Sequence, residues 1–120
     1  MNKSELKELI YSDLARYGGG KSFKELVKNY LLNPGFKYMY LFRKNQYHQK
    51  RKVNFINYIF YKMALKRYMF KFGYDIPSHT QIGKGFYINH LNGITINPQV
   101  VIGNNVNITK GVTIGQTNRG

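Results

Sequence analysis

The sequence predicts an α+β protein in which N-terminal α-helices are followed by a solenoid of short parallel strands. The main observation is a six-residue spacing of isoleucine that shifts once by two residues: Ile76, Ile82, Ile88 and Ile94, then Ile96, Ile102, Ile108 and Ile114. A helix repeats about every 3.6 residues and a strand every two, so neither explains this period. A solenoid does, because each six-residue piece forms one flat side and turns one aliphatic residue inward. An ordinary β-meander with accidental spacing is the alternative.

Two helices are predicted before residue 33. In the first, over residues 4–17, Ser4 is the expected N-cap and apolar residues recur at helical spacing from Leu6 to Tyr17. Three glycines at 18–20 end it. Ser22 and Glu25 form a capping box for the second helix, whose apolar stripe consists of Phe23, Leu26, Val27, Tyr30 and Leu31.

Two further helices are predicted before Gly73. Asn33 and Pro34 are typical of the N-cap and first position of a helix that runs to about Gln49. Residues 53–72 form the fourth helix, which is apolar nearly all round with interspersed lysines and arginines. We therefore divide the chain into a basic, aromatic-rich helical region, 1–73, and a β-solenoid, 74–120.

Positive charge is concentrated in the helical region. The formal net charge is +14, and residues 1–74 hold 16 basic residues against 4 acidic ones. No acidic residue occurs between Glu25 and Asp75. We expect the basic side chains to point outward, where they would attract anions such as acidic lipid head groups, phosphorylated substrates or nucleic acid.

The composition narrows the class of protein. The 120 residues include no cysteine, which excludes disulfides and thiolate metal sites from this sequence. No cluster of His, Asp and Glu has the spacing of metal ligands, so no metal is expected. The first eight residues are too charged for a signal peptide, and no apolar run is long enough to span a membrane. The expected compartment is the cytoplasm.

The solenoid resembles the left-handed parallel β-helix of the hexapeptide-repeat acyltransferases, and most of all serine O-acetyltransferases and their short relatives in surface-polysaccharide gene clusters. The resemblance covers residues 73–120 and more loosely the helix start Asn33-Pro34-Gly35-Phe36. It is carried by Asp75-Ile76-Pro77, Ile82-Gly83-Lys84-Gly85, Ile88-Asn89-His90, Gly93-Ile94 and Gly111-Val112-Thr113-Ile114-Gly115. It implies an acetyl-CoA-dependent enzyme, a homotrimer and active sites between neighbouring subunits.

His90 and Asp75 are the predicted catalytic residues. Transfer of acetyl from a thioester to a hydroxyl needs a base for the hydroxyl proton, and histidine suits this role near neutral pH. In the resembled family the histidine that matches His90 is that base, and Asp75 matches the aspartate that orients it. Either residue alone could instead be a turn residue. His79 and His48 are weaker candidates, interpreted as a surface turn and a solvated helix position.

The resemblance also predicts the remaining site residues. Gly111, Gly115, Gln116 and Thr117 match the region that holds the pantetheine arm of coenzyme A. Asn89 stands where serine acetyltransferases usually have an acidic residue that meets the amino group of serine. This departure, together with a short helical region, favours a sugar hydroxyl over L-serine as the acceptor.

Three interpretations remain open at this point. The first is the O-acetyltransferase, in possible peripheral contact with an anionic membrane and with no specific nucleic acid. The second is a non-catalytic basic module that binds anionic lipid or nucleic acid on a trimerising β-helix. The third is an inactive fragment, because residues 75–120 supply only about two and a half coils and a C-terminally truncated chain is expected.

Overall fold

The computed structural model describes residues 2–18, 20–49, 55–77, 80–88, 94–96, 99–108 and, for the backbone only, 113–114. Four helices come first: α1 (Lys3–Arg16), α2 (Phe23–Leu32), α3 (Pro34–Gln49) and α4 (Phe55–Phe72). Seven short strands follow: β1 (Tyr74–Asp75), β2 (Gln81–Ile82), β3 (Tyr87–Ile88), β4 (Ile94–Ile96), β5 (Val101–Ile102), β6 (Asn107–Ile108) and β7 (Thr113–Ile114). The order agrees with the predicted α+β class.

The helix starts follow from local capping, with one correction. The Ser22 side chain accepts a hydrogen bond from the Glu25 amide, as the capping box predicts. The N-cap of α1 is Asn2 and not Ser4: Asn2 has an extended backbone, and its side-chain oxygen accepts from the Glu5 amide at 2.8 Å. Asparagine caps as well as serine does, and the N-cap lies two residues earlier than predicted.

The strands form three parallel sheets, in the orders β1-β4-β7, β2-β5 and β3-β6. Every third strand therefore returns to the same sheet, which is the topology of a three-sided parallel coil. This confirms N-terminal helices followed by parallel solenoid strands, while the left-handed sense of the coil remains a prediction from the resemblance.

The predicted inward isoleucines form the interior of the coil. Ile76, Ile82, Ile88, Ile94, Ile96, Ile102 and Ile108 are all buried. Their core continues into the helices through Tyr38, Met39, Leu41, Phe42, Leu65 and Phe72. The first coil and the helical region therefore share one hydrophobic core. The side chain of Ile114 lies outside the described residues.

The helical region differs from the prediction in two respects, the burial of the apolar stripe on α2 and the burial of one basic residue on α3. The stripe of α2 is only partly covered: Leu26 and Tyr30 are half-buried, whereas Phe23 and Leu31 are exposed. Among the basic residues, Arg43 is not outward but almost completely buried. Its partner comes from α1, which the sequence pattern of a single helix could not reveal.

Candidate functional site

Asp75 lies on the outer face of one side of the coil. Its neighbour Tyr74 points into the core, and Asp75 itself is exposed, as the alternation of a strand requires. Asp75 is in register with Thr95 on β4, and Thr95 with Thr113 on β7. The predicted orienting carboxylate therefore stands beside another outward position, Thr95, on a side of the coil that continues to β7.

A cleft of about 340 Å³ lies beside Asp75, between α4 and the first coil. Its lining includes Lys62 and Lys66 of α4, Tyr38 of α3 and Asp75 of β1. The Tyr38 hydroxyl donates to the carbonyl oxygen of Ile76 at 3.2 Å. Burial raises the pKa of Tyr38 far above its usual range, and the nearby Asp75 charge raises it further, so this hydroxyl stays neutral at physiological pH.

The segment that holds the predicted base lies between two described strands. β3 ends at Ile88 and β4 begins at Ile94, and both Asn89 and His90 lie outside the described residues. The strand register reveals one property of this segment. Eight positions separate Ile88 from Ile96, whereas six separate their register partners Ile108 and Ile114. The two-residue shift in the isoleucine spacing therefore falls in the stretch that contains His90.

Tyr17 and Gly35 hold the strand end that leads to this segment. The Tyr17 hydroxyl donates to the Ile88 carbonyl oxygen at 3.2 Å and accepts from the Ile88 amide at 3.0 Å. A Cβ atom on Gly35 would lie 2.6 Å from both the Ile88 oxygen and the Tyr17 hydroxyl. Only glycine lets the start of α3 approach this closely.

A buried ion pair fixes the turn that precedes β3 in the same coil. Arg43 Nε lies 3.0 Å from Asp13 Oδ2, and both side chains are 1% exposed. Arg43 also donates to the carbonyl oxygens of Ile82 and Gly83, each at 2.6 Å, and Asp13 Oδ1 accepts from the Phe86 amide at 2.9 Å. Burial raises the pKa of Asp13, and the Arg43 charge opposes that rise. The pair joins α1 and α3 to the turn between β2 and β3.

Sequence reasoning missed these four supporting residues as a group. Gly35 belongs to the predicted helix start Asn33-Pro34-Gly35-Phe36, and glycine permits close approach of another backbone, but the sequence does not show which strand approaches it. Arg43 and Asp13 carry no comparable signal, because their contact depends on the packing of α1 against α3.

The other predicted residues are placed as follows. Gly111, Gly115, Gln116, Thr117 and His79 lie outside the described residues. His48 is half-buried on α3 and stacks on the Tyr61 ring with centroids 5.2 Å apart, so the solvated position predicted for it is wrong. In the described part of the chain, His, Asp and Glu side chains form no group of three that could hold a metal ion.

Both the sequence and the fold have counterparts among known proteins. No family model matches the chain. Serine acetyltransferases 1 (chloroplastic) and 2 of Arabidopsis thaliana are 42% and 44% identical to it over 48 residues, which are 40% of this chain and 15% of each plant protein. The crystal structure of Neisseria gonorrhoeae serine acetyltransferase superposes with a TM-score of 0.70 at 25% identity. The chain is similar to serine acetyltransferases.

The extent of the likeness differs between sequence and structure. Entamoeba histolytica serine acetyltransferase 1, solved in complex with L-cysteine, superposes with a TM-score of 0.66 at 21% identity and shows the fold alone. Each superposition covers 98% of this chain and 46% of the other chain. The helices as well as the coils thus have a counterpart in serine acetyltransferases, while this chain spans less than half the length of those enzymes.

Proposed function

We propose that the protein is an acetyl-CoA-dependent O-acetyltransferase of the serine acetyltransferase type, with a hydroxyl of L-serine or of a surface-polysaccharide sugar as acceptor. The observation that carries the proposal is the position of Asp75. It is an exposed carboxylate on the outer face of the coil, beside a basic cleft, in register with the strand that follows the His90 segment. The sequence and structural similarity to serine acetyltransferases gives this position its chemical interpretation.

In the proposed reaction His90 removes the proton of the acceptor hydroxyl while its oxygen attacks the thioester carbonyl carbon. The new C–O bond forms, the C–S bond breaks, and the protonated imidazole returns its proton to the departing coenzyme A thiolate. Asp75 orients the imidazole and stabilises its charged form. Gly111, Gly115, Gln116 and Thr117 are proposed to contact coenzyme A.

The Tyr17 and Gly35 contacts support this mechanism as positioning interactions. They fix Ile88, which lies two residues before His90 in the chain. A general base must stay within hydrogen-bond reach of the proton that it removes. A strand end held by two hydrogen bonds and a close helix contact restricts where the following residues can lie.

The proposed setting is the cytoplasm, with peripheral contact at the anionic inner face of the membrane. The proposed assembly is a homotrimer with the active sites between neighbouring subunits. Light scattering of the purified protein tests this assembly. A trimer has a molar mass three times that of one chain, and any other mass would contradict it.

The acceptor is tested with the full-length protein by following release of free coenzyme A thiol from acetyl-CoA. Thiol release that depends on added L-serine or on a sugar acceptor supports the transferase. Asn89→Asp is the informative variant, because a carboxylate at this position would meet the amino group of serine. We expect it to raise the rate with serine relative to sugar. Acceptor-independent or absent thiol release would favour the non-catalytic binding module.

A further inference from the structure

Helix α4 has apolar residues on two opposite faces, and only one of them is covered. Leu65 and Phe72 are buried in the shared core. Half a turn away, at helical spacing, are apolar side chains that point into solvent: Ile56 (84% exposed), Ile59, Phe60 (64%), Met63 (68%) and Phe70 (74%). An exposed stripe this long is unusual for a surface that faces only water.

Helix α2 extends this stripe into a broader surface. Its exposed apolar residues are Phe23, Val27, Leu31 and Leu32. A groove of about 300 Å³ separates Phe23 and Val27 from Phe60, with Leu41 of α3 in its lining. A second groove of about 520 Å³ shares Phe60 and Leu41 and continues to Met63 and Arg67. We call the exposed apolar residues of α2 and α4, with these grooves, the α2–α4 face.

Exposed cations surround the apolar residues of the α2–α4 face. Their side chains belong to α2 and α4: Lys24, Lys28, Lys62, Lys66, Arg67 and Lys71. The sequences of these two helices contain one acidic residue, Glu25, which is half-buried. An apolar stripe flanked by lysine and arginine is the composition of a helix that lies in a membrane interface.

We propose that the α2–α4 face docks on the surface of an anionic lipid bilayer, with Phe60 and Met63 entering the interface and the flanking cations contacting lipid head groups. This names the surface for the membrane contact and does not depend on acetyl transfer. Charge complementarity selects the occupant. A second copy that packed this face against the same face would bring its six cations against six others. Nucleic acid would meet the cations, and bases could stack on the exposed phenylalanines of the face, but the aliphatic side chains of Leu31, Leu32 and Ile56 would stay in water.

The described helices fit docking on a bilayer and not passage through it. Of the four, none combines the length and the apolar character that crossing a bilayer requires. The contact is therefore interfacial, and it should depend both on anionic lipid and on apolar insertion.

The test is co-sedimentation of the full-length protein with phosphatidylcholine vesicles, with and without phosphatidylglycerol. We expect binding to the anionic vesicles only, with affinity at least about tenfold lower when the salt concentration rises from about 0.1 to 1 M. Phe60→Ser/Met63→Ser and Lys24→Glu/Arg67→Glu should each lower affinity at least about tenfold. Lys3→Glu/Lys7→Glu on α1 makes the same change in net charge outside the face and should retain most of the binding.

Several outcomes would overturn the proposal. Binding that is equal in the Phe60→Ser/Met63→Ser variant would reduce the contact to non-specific charge attraction. If the two charge-reversal variants lost vesicle binding equally, binding would not depend on the α2–α4 face. If the wild-type protein does not bind vesicles but forms an oligomer that the Phe60→Ser/Met63→Ser variant does not form, the face binds a second copy of the chain. If the wild-type protein binds DNA through Phe60 and Met63 and does not bind vesicles, the face binds nucleic acid.

A second variant keeps the test informative if the serine variant fails to fold. Ile56→Ser replaces the most exposed of these side chains, so it leaves the core untouched. It should weaken vesicle binding while thermal unfolding stays that of the wild type, and unchanged binding would contradict the proposal. Acetyl transfer to a soluble acceptor should be equal in wild type and Ile56→Ser. Failure of the transferase proposal is thus seen separately from failure of the membrane proposal.

Discussion

The hydroxyl of Tyr17, at the end of α1, makes two hydrogen bonds to Ile88, one with its amide and one with its carbonyl. The Tyr17 side chain, 71 positions earlier in the chain, thus provides a hydrogen-bond partner for both the amide and the carbonyl of Ile88. The last residue of β3 is thereby joined to the helical region. The two regions of the chain consequently meet next to the segment that carries the proposed base.

Gly35→Ala should destabilise the protein although alanine favours helices. The added Cβ would lie 2.6 Å from two oxygen atoms, so α3 or β3 must shift. We expect a loss of about 1–3 kcal/mol in the free energy of unfolding, as for other overpacked sites. Gly20→Ala is the matched control, because its Cβ would meet nothing within 4 Å. Chemical denaturation measures both, and equal stability of the two variants would contradict the close contact.

Removal of one partner of the Asp13–Arg43 pair should strongly destabilise the folded protein. Arg43→Met leaves a buried carboxylate without its cation and two carbonyl oxygens without a donor. The expected loss is about 3–5 kcal/mol in the free energy of unfolding. Arg67→Met, at an exposed position on α4, should change stability by less than about 0.5 kcal/mol. Similar losses in the two variants, measured by urea denaturation, would show that Arg43 is not paired as described.

Strand β5 offers a test of the coil interior with a control one residue away. Ile102 is buried and Val101 is 69% exposed on the opposite face. Ile102→Ala should cost about 2–5 kcal/mol because it leaves a cavity in the core. Val101→Ala should cost far less. If thermal unfolding shows the reverse order, the inward and outward faces of the coil have been assigned wrongly.

The repeat and most helix boundaries, although not the start of α1, could be predicted because they depend on local and periodic signals. The six-residue spacing determines which isoleucines point inward, and local signals such as the Ser22 cap and Pro34 mark where α2 and α3 start. The long-range contacts could not be predicted. Arg43 looked like any other solvated cation, since its partner Asp13 is 30 positions away on another helix. The site was predicted only through the resemblance, and of its two catalytic candidates Asp75 alone lies in the described residues.

Alkaline pH should reduce the contribution of the buried tyrosines Tyr17 and Tyr38 to the free energy of unfolding. Burial raises the pKa of both Tyr17 and Tyr38 well above the usual value of 10.0, so above that value the folded state holds more protons than the unfolded state. Stability therefore falls as the pH rises past about 10. Tyr17→Phe/Tyr38→Phe should be less stable than wild type at pH 8, and the difference should shrink above pH 10. Denaturation curves across this range measure it, and a constant difference would contradict the assigned shifts.

The central claim is that His90 is the general base of an acetyl transfer. The most direct measurement is the acceptor-dependent release of coenzyme A thiol from acetyl-CoA by the full-length protein and its His90→Ala variant, with His79→Ala as the matched histidine control. We predict a loss of about 10²–10⁴-fold in turnover for His90→Ala, with coenzyme A affinity nearly unchanged and His79→Ala close to wild type. Wild-type turnover in a folded His90→Ala protein would contradict the mechanism.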